Sequence, residues 1–424
     1  MKKNIKDLIA FFLCAYLILQ LISCQGKSPT EPEAGNLSTA SWDQDIDYFS
    51  SQLKTSQYGF SSLISVQKFD NTINNLKNSV DSLKDYEIYL KLEQLVASFN
   101  VAHLVAYPSS VPRLHFLPIY TSIFPDGVYI IKTDQNNSGL LGKKITGVGG
   151  VPVQTVLDSL KKIIPHENDY WFEDQVPKMF CCPEVLKYFG FSNSESSAVF
   201  DIEGSGEVTL TAAAISINFL PGDMKSVLDG KDIPLYLQNQ SKYYWYKYIA
   251  ADSALYIKYN KCANSTDISF DSFTNGIKDF ISAHQVDKII VDLRNNGGGN
   301  SSIINPLLYY IQGSPFNQSG KLFVITNRGT FSSALLNSIS FKQNTDCILV
   351  GEPTGGKPNS YGEVRTFSLP NSGIFVQYCT KYFKTVGGDP ESLFPDYDVE
   401  ISFADYINCK DPVLDFILNY KRNY

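Results

Sequence analysis

The sequence predicts an α/β protein, multi-domain and α+β overall, and three observations carry that reading. Short apolar, β-branched runs recur in the C-terminal half, Lys288 to Leu293 (KIIVDL), Lys321 to Thr326 (KLFVIT) and Cys347 to Gly351 (CILVG). Each is bounded by Gly, Asn or polar residues, as buried strands of a layered sheet are. Residues 41–105 instead place apolar side chains at alternating three and four spacing, the pattern of packed helices. Residues 106–225 change again, to strand-like stretches separated by glycines.

The first 23 residues read as a targeting segment. Lys2, Lys3 and Lys6 precede the apolar run from Leu8 to Leu19, too short to span a membrane comfortably. Leu21-Ile22-Ser23-Cys24 then resembles a bacterial lipobox, which implies cleavage before Cys24 and acylation of that cysteine. Residues 24–40, rich in Pro, Ser, Gly and Glu, lack the apolar content for a core and read as a flexible tether. The expected location is a bacterial cell envelope, lipid-anchored at the outer membrane.

The whole chain carries a formal net charge of −7. Removing residues 1–23, with three lysines and Asp7, takes off a net +2 and leaves −9. An acidic exported protein is a poor nucleic-acid binder. Six cysteines follow Cys24, namely Cys181, Cys182, Cys262, Cys347, Cys379 and Cys409, without metal-type C-x-x-C spacing. Scattered core thiols, or one or two disulfides, are expected, and no metal or cofactor.

The 384 residues from 41 to 424 divide into three regions. In 41–105, Ser41-Trp42-Asp43-Gln44 reads as a capping box, with Trp42, Ile46, Phe49 and Leu53 on one helical face. A second helix carries Val66, Phe69, Ile73, Leu76, Val80 and Leu83. A third, after Asp85, carries Ile88, Leu92, Leu95 and Phe99. In 106–225, strands are expected at His115–Tyr120, Gly127–Ile131 and Gly142–Gly150, with a helix from Val153 to Ile163. The order of strand, G-x-x-I-x-x-V-x-G and helix resembles a PDZ domain; a small structural β domain fits the same pattern. In 226–424, an aromatic hairpin (243–249 with 255–259), a crossover helix through Phe270, Phe273 and Ile277, and a C-terminal helix opened by Asp411-Pro412 frame the three central strands.

The loops after those strands carry the candidate chemistry, because parallel strands deliver their following loops to one crevice. They are Asp292-Leu293-Arg294-Asn295-Asn296-Gly297-Gly298-Gly299, Thr330-Phe331-Ser332-Ser333-Ala334 and Gly351-Glu352-Pro353-Thr354-Gly355-Gly356-Lys357. Ser332 stands at a helix start, where free amides favour negative charge. The glycine run lets main-chain N–H groups approach an oxyanion, with Gly298 and Ser333 as the donors. Lys357 is able to take the serine proton if burial lowers its pKa. Each feature has a plainer meaning alone: a helix cap, a flexible turn, a solvated charge.

Together the three stretches resemble the C-terminal processing peptidases and the tricorn core, serine peptidases with a crotonase-like ββα catalytic domain. The resemblance covers roughly the last 190 residues. It implies hydrolysis of peptide bonds through an acyl-enzyme on Ser332, with a peptide or protein substrate. Lys357 follows Ser332 by 25 residues, similar to the serine-lysine pattern of the processing peptidases. His103, in Phe99-Asn100-Val101-Ala102-His103-Leu104, resembles the catalytic histidine of the tricorn branch. There a serine and a late glutamate support the base, and Glu391 is the candidate for the glutamate, with Asp389 close behind. Both bases stay open. A second functional class, a catalytically silent surface lipoprotein binding peptides or glycans, would use the same cleft.

Overall fold

The computed structural model describes residues 37–109, 111, 114–216 and 224–421. The targeting segment, Cys24 and most of the tether lie outside them. Among the described residues no helix is long and apolar enough to cross a membrane.

The chain enters through helices α1 (Thr39–Ser56), α2 (Phe60–Leu63), α3 (Val66–Lys77) and α4 (Asp85–Ala97). Trp42, Ile46, Phe49 and Leu53 are buried along α1, as their spacing requires. Its cap differs from expectation. Ser38, not Ser41, closes the helix start by accepting the Ser41 N–H, so Thr39 and Ala40 belong to the helix and the tether ends earlier. The second helix stops at Lys77 rather than reaching Leu83, and Val80 sits in a separate 3-10 turn.

Strands β1 (Val105–Tyr107), β2 (His115–Phe116), β3 (Ile119–Phe124), β4 (Gly127–Thr133), β5 (Lys144–Val148) and β6 (Val151–Pro152) follow. The expected single strand at 115–120 is broken at Pro118, which has no N–H to give a ladder. Next come α5 (Val153–Leu160), α6 (Asp169–Phe180) and α7 (Pro183–Tyr188), then β7 (Ser197–Ile202), β8 (Gly206–Thr211), β9 (Ala213–Ser216) and β10 (Lys225–Ser226). The middle region forms a sheet ordered β10-β4-β5-β7-β8, with β3 on β4 and β6 on β5.

The C-terminal region holds β11 (Tyr244–Ile249), β12 (Ala254–Tyr259), α8 (Phe270–Ala283), β13 (Lys288–Asp292), α9 (Asn305–Gln312), β14 (Leu322–Thr326), α10 (Ser333–Asn344) and β15 (Ile348–Gly351). A hairpin, β16 (Ser360–Ser368) and β17 (Phe375–Phe383), is followed by β18 (Tyr397–Asp398), α11 (Phe403–Ile407) and α12 (Pro412–Asn419). Strand order is β11-β12-β13-β14-β15-β18, with β12 to β18 parallel. β13, β14 and β15 are neighbours, and their loops leave one edge as anticipated.

The hairpin does not join that sheet. β17 pairs with β1, so chain from the first and last thirds shares a three-stranded sheet, order β1-β17-β16. One apolar core runs from Trp42 through the middle sheet to Leu369, Ile374, Val376 and Cys379. A second and third core line the two faces of the parallel sheet. Among the described residues all six cysteines are free; five are buried core thiols and Cys409 is partly exposed.

Candidate active site

A buried ion network holds the first loop. Arg294 makes a bidentate pair with Asp411, at 2.9 and 2.8 Å, and its Nε reaches Asp292 Oδ2 at 2.9 Å. Tyr256 donates its hydroxyl to the same Asp292 oxygen at 2.6 Å, and Lys258 Nζ caps Arg294 O at 2.6 Å. The cations hold the Asp292 carboxyl down at about 2 against its burial. Asp292 and Arg294 thus anchor the glycine loop and α12 to the sheet.

Main-chain and amide bonds join the loops to each other. Asn295 N–H donates to Asn327 Oδ1 at 2.9 Å and Asn327 Nδ2 returns a bond to Asn295 Oδ1 at 2.8 Å. Phe331 N–H donates to Asn296 O at 3.0 Å, and Gly355 N–H to Thr330 O at 3.2 Å. The three stretches singled out in the sequence therefore form one platform.

Ser332 stands at its centre. It precedes α10 with φ 54° and ψ −125°, outside the regions open to ordinary L-residues, and its side chain makes no capping bond. A residue held there costs roughly 1–3 kcal/mol, paid only where the surroundings over-determine it. The same strand-to-helix strain displays the serine of a nucleophile elbow. Gly298, at φ +106°, lies so close that a Cβ there would sit 2.8 Å from Ser332 Cβ and 2.8 Å from Ser333 N. Only glycine fits between the loops.

Of the two expected oxyanion donors, Ser333 N–H opens α10, where no helical acceptor exists for it. The Gly298 N–H instead donates to Asn296 Oδ1 at 2.9 Å. Ser333 Oγ donates to Gly299 O at 2.6 Å and locks helix to glycine run.

His103 lies two residues before β1. Its ring stacks on Phe331, beside Ser332, with centroids 4.4 Å apart, and Trp171 of α6 stacks on Phe331 at 3.8 Å. Both ring nitrogens are buried and make no hydrogen bond of ordinary geometry among the described residues, although the Tyr361 main chain faces the ring. Burial lowers the His103 pKa to about 4, so the ring is neutral at pH 7. Lys357 is differently placed. Its ammonium is paired with Asp389 at 2.7 Å and is a quarter exposed. That amine is engaged by the Asp389 carboxylate rather than by Ser332. Glu391 is exposed. Its carbonyl accepts Asn168 Nδ2 at 2.7 Å, and the structure shows no contact of its carboxylate with His103.

Two residues went unnoticed in the sequence. Asn168 caps α6 through Trp171 N–H at 2.9 Å and donates to Thr354 O at 3.3 Å as well as to Glu391 O, so it pins two catalytic-side loops to the middle region. Glu167 beside it accepts the Lys357 N–H at 3.4 Å, and the main chain of Ala102, next to His103, also faces it. Burial pushes its carboxyl up to about 7. The only local signal was the Asn before a helical pattern, which marks a cap and nothing more.

A strained serine, a glycine run and a buried histidine thus gather at the loop edge of a parallel sheet. Residues 253–399 match the model of peptidase family S41, in agreement with the motif resemblance to the processing and tricorn-like serine peptidases. The tricorn protease of Thermoplasma acidophilum is 30% identical over 157 residues, 33% of this chain and 14% of that protein. A Sulfurisphaera tokodaii protein described as a tricorn-like protease C-terminal subunit is 29% identical over 165 residues, 35% of this chain and 19% of its own length. The chain thus spans less than a fifth of these curated relatives. In fold it is similar to mature CPAF complexed with lactacystin, with TM-score 0.62 and 12% identity, over 90% of this chain and 99% of that one.

Proposed function

We propose that this protein is a membrane-tethered serine endopeptidase with Ser332 as nucleophile and His103 as base. The observation that carries the reading is the strained, uncapped backbone of Ser332 wedged against Gly298. Ser332 Oγ attacks the scissile carbonyl carbon while its proton passes to a His103 nitrogen. The oxyanion faces Ser333 N–H, joined by Gly298 N–H once it leaves Asn296. Collapse expels the amine with the proton from His103, and water repeats the sequence on the acyl-enzyme. His103 must turn off the Phe331 face to reach Ser332, since the resting ring has no bond to it. Its neutral state and the absence of a hydrogen bond of ordinary geometry on its nitrogens among the described residues support it over Lys357, whose amine is engaged. Glu391 becomes the orienting carboxylate only if its loop closes on His103.

A fluorophosphonate is expected to label the wild-type protein covalently and to leave Ser332→Ala unlabelled; equal labelling of both would overturn the assignment. The lipobox supports anchoring through Cys24 in a bacterial envelope, and the middle sheet with α5 is read as the PDZ-like part beside a crotonase-like catalytic domain. Cys24→Ala is expected to move the protein from the membrane fraction to the soluble one.

A further inference from the structure

Resting on that peptidase reading, we propose that the cavity beside the nucleophile helix is a specificity subsite for one uncharged substrate side chain. The cavity measures about 390 Å³, inside the ~300–1,000 Å³ range of ligand pockets. Its walls come from elements that also position Ser332. Leu336, Ile339 and Ser340 line it from α10. They stand four, seven and eight residues beyond Ser332 and so continue one helical face from it. Leu336 N–H donates to Ser332 O at 3.1 Å, which puts the start of this wall one turn, ~5.4 Å along the axis, from the nucleophile.

The opposite wall is Ser301 and Ser302, separated from the glycine run only by Asn300. Asn337 Nδ2 donates to Ser301 O at 2.7 Å and fixes that wall to the helix. Phe383, the last residue of β17, closes the third side, and Gln343 Nε2 ties the helix to Thr385 O at 3.0 Å. A peptide seated with its carbonyl against Ser333 N–H therefore passes the mouth of this cavity.

Its chemistry selects for an uncharged occupant. The lining offers hydroxyls and amides at the rim and apolar surface from Leu336, Ile339 and Phe383, with no ionised side chain. Lys381 Nζ lies 4.7 Å from the Phe383 ring centroid and 3.8 Å from Glu363 Oε2, so that cation is already paired and the cavity wall itself stays uncharged. A charged side chain entering here would meet no ionised partner in the lining, whereas an uncharged one has apolar surface and hydroxyl and amide groups to contact.

Three proteins test this: the wild type, Ser340→Asp, which sets a carboxylate in the wall, and Gln343→Trp, which fills the space. With a mixed peptide library, the wild type is expected to disfavour Lys and Arg at one position beside the cleaved bond by about tenfold or more, and Ser340→Asp to reverse that preference by a similar factor. Gln343→Trp should shift the same position toward small residues. Each change is also made in Ser332→Ala, where binding of paired peptides carrying Leu or Lys is read by anisotropy and should show the same reversal. An unaltered library profile, or unaltered binding, in both cavity variants would overturn the subsite. A wild type that resists fluorophosphonate overturns the peptidase reading instead, and the binding pair then decides the subsite by itself.

Discussion

On one side of the cleft Ser332 is held by main chain; on the other His103 is held by ring packing. The serine side has a positive φ, reciprocal amide bonds between loops and a glycine that no Cβ can replace. The histidine side has one stacked ring, Phe331, itself stacked on Trp171, and two ring nitrogens that make no hydrogen bond of ordinary geometry among the described residues, with the Tyr361 main chain facing them. Backbone geometry leaves the nucleophile one arrangement, whereas stacking fixes the plane of an imidazole and leaves its rotation about that contact soft. On the proposed reading, Ser332 is then prepared in the resting protein and His103 is completed as base by substrate or loop movement, a situation in which resting geometry underestimates the catalytic bond.

The sharpest break of this comparison is removal of the base. His103→Ala is expected to lower kcat/KM by about 10²- to 10⁴-fold, the usual contribution of a positioned general base. Folding should be retained, as checked by an unchanged thermal transition within a few degrees. If Lys357 were the base, His103→Ala would retain most activity, and the two roles would exchange. On the serine side, Gly298→Ala should cost roughly 10²-fold, because the inserted methyl must push Ser332 or Ser333 aside and a displacement of about 1 Å in a reacting group has that effect. Fluorophosphonate labelling rates, which report on Ser332 directly, separate this loss from weaker peptide binding.

Lys357→Met is a smaller perturbation. The amine forms a partly exposed pair with Asp389, and such pairs are worth ~0–1 kcal/mol, so kcat/KM should change less than about fivefold. Asp389→Asn should behave alike. A thousandfold loss in Lys357→Met alone would restore the lysine as the proton acceptor.

Strands β13, β14 and β15 and the three loops after them were legible because their signals are local: β-branched runs, bounding glycines, a serine before a helical pattern. The burial of Trp42, Ile46, Phe49 and Leu53 was legible for the same reason. The β16–β17 hairpin with β1 was not, since Val105 pairs with Gln377 across most of the chain and no window holds both. Site residues followed the same division. Ser332 and Gly298 meet through adjacent loops of one sheet, while the partners of Lys357 and His103 depend on which distant side chains pack there. A lysine 25 residues from a serine says nothing about Asp389 holding its ammonium.

The finest test of the histidine side uses proton linkage, because its two buried titrating groups shift in opposite senses. His103 falls to about 4 in the folded protein from an ordinary 6.5, so between those values the unfolded chain binds the extra proton and stability rises with pH. Glu167 rises to about 7 from 4.5, so between those values the folded protein holds the extra proton and stability falls with pH. Across the overlap, pH 4.5 to 6.5, the two slopes oppose, each bounded by about 1.4 kcal/mol per pH unit for one proton. Glu167 faces the Lys357 N–H and feels the Lys357 cation and the Asp389 carboxylate, both of which stay in place in Glu167→Gln. That variant should therefore uncover the histidine slope, its denaturant midpoint climbing from pH 4.5 to 6.5 more steeply than in the wild type. His103→Asn should tilt the other way. Parallel profiles for the wild type and both variants would mean that neither group is held as the folded structure places it, and the soft side of the cleft would need another description.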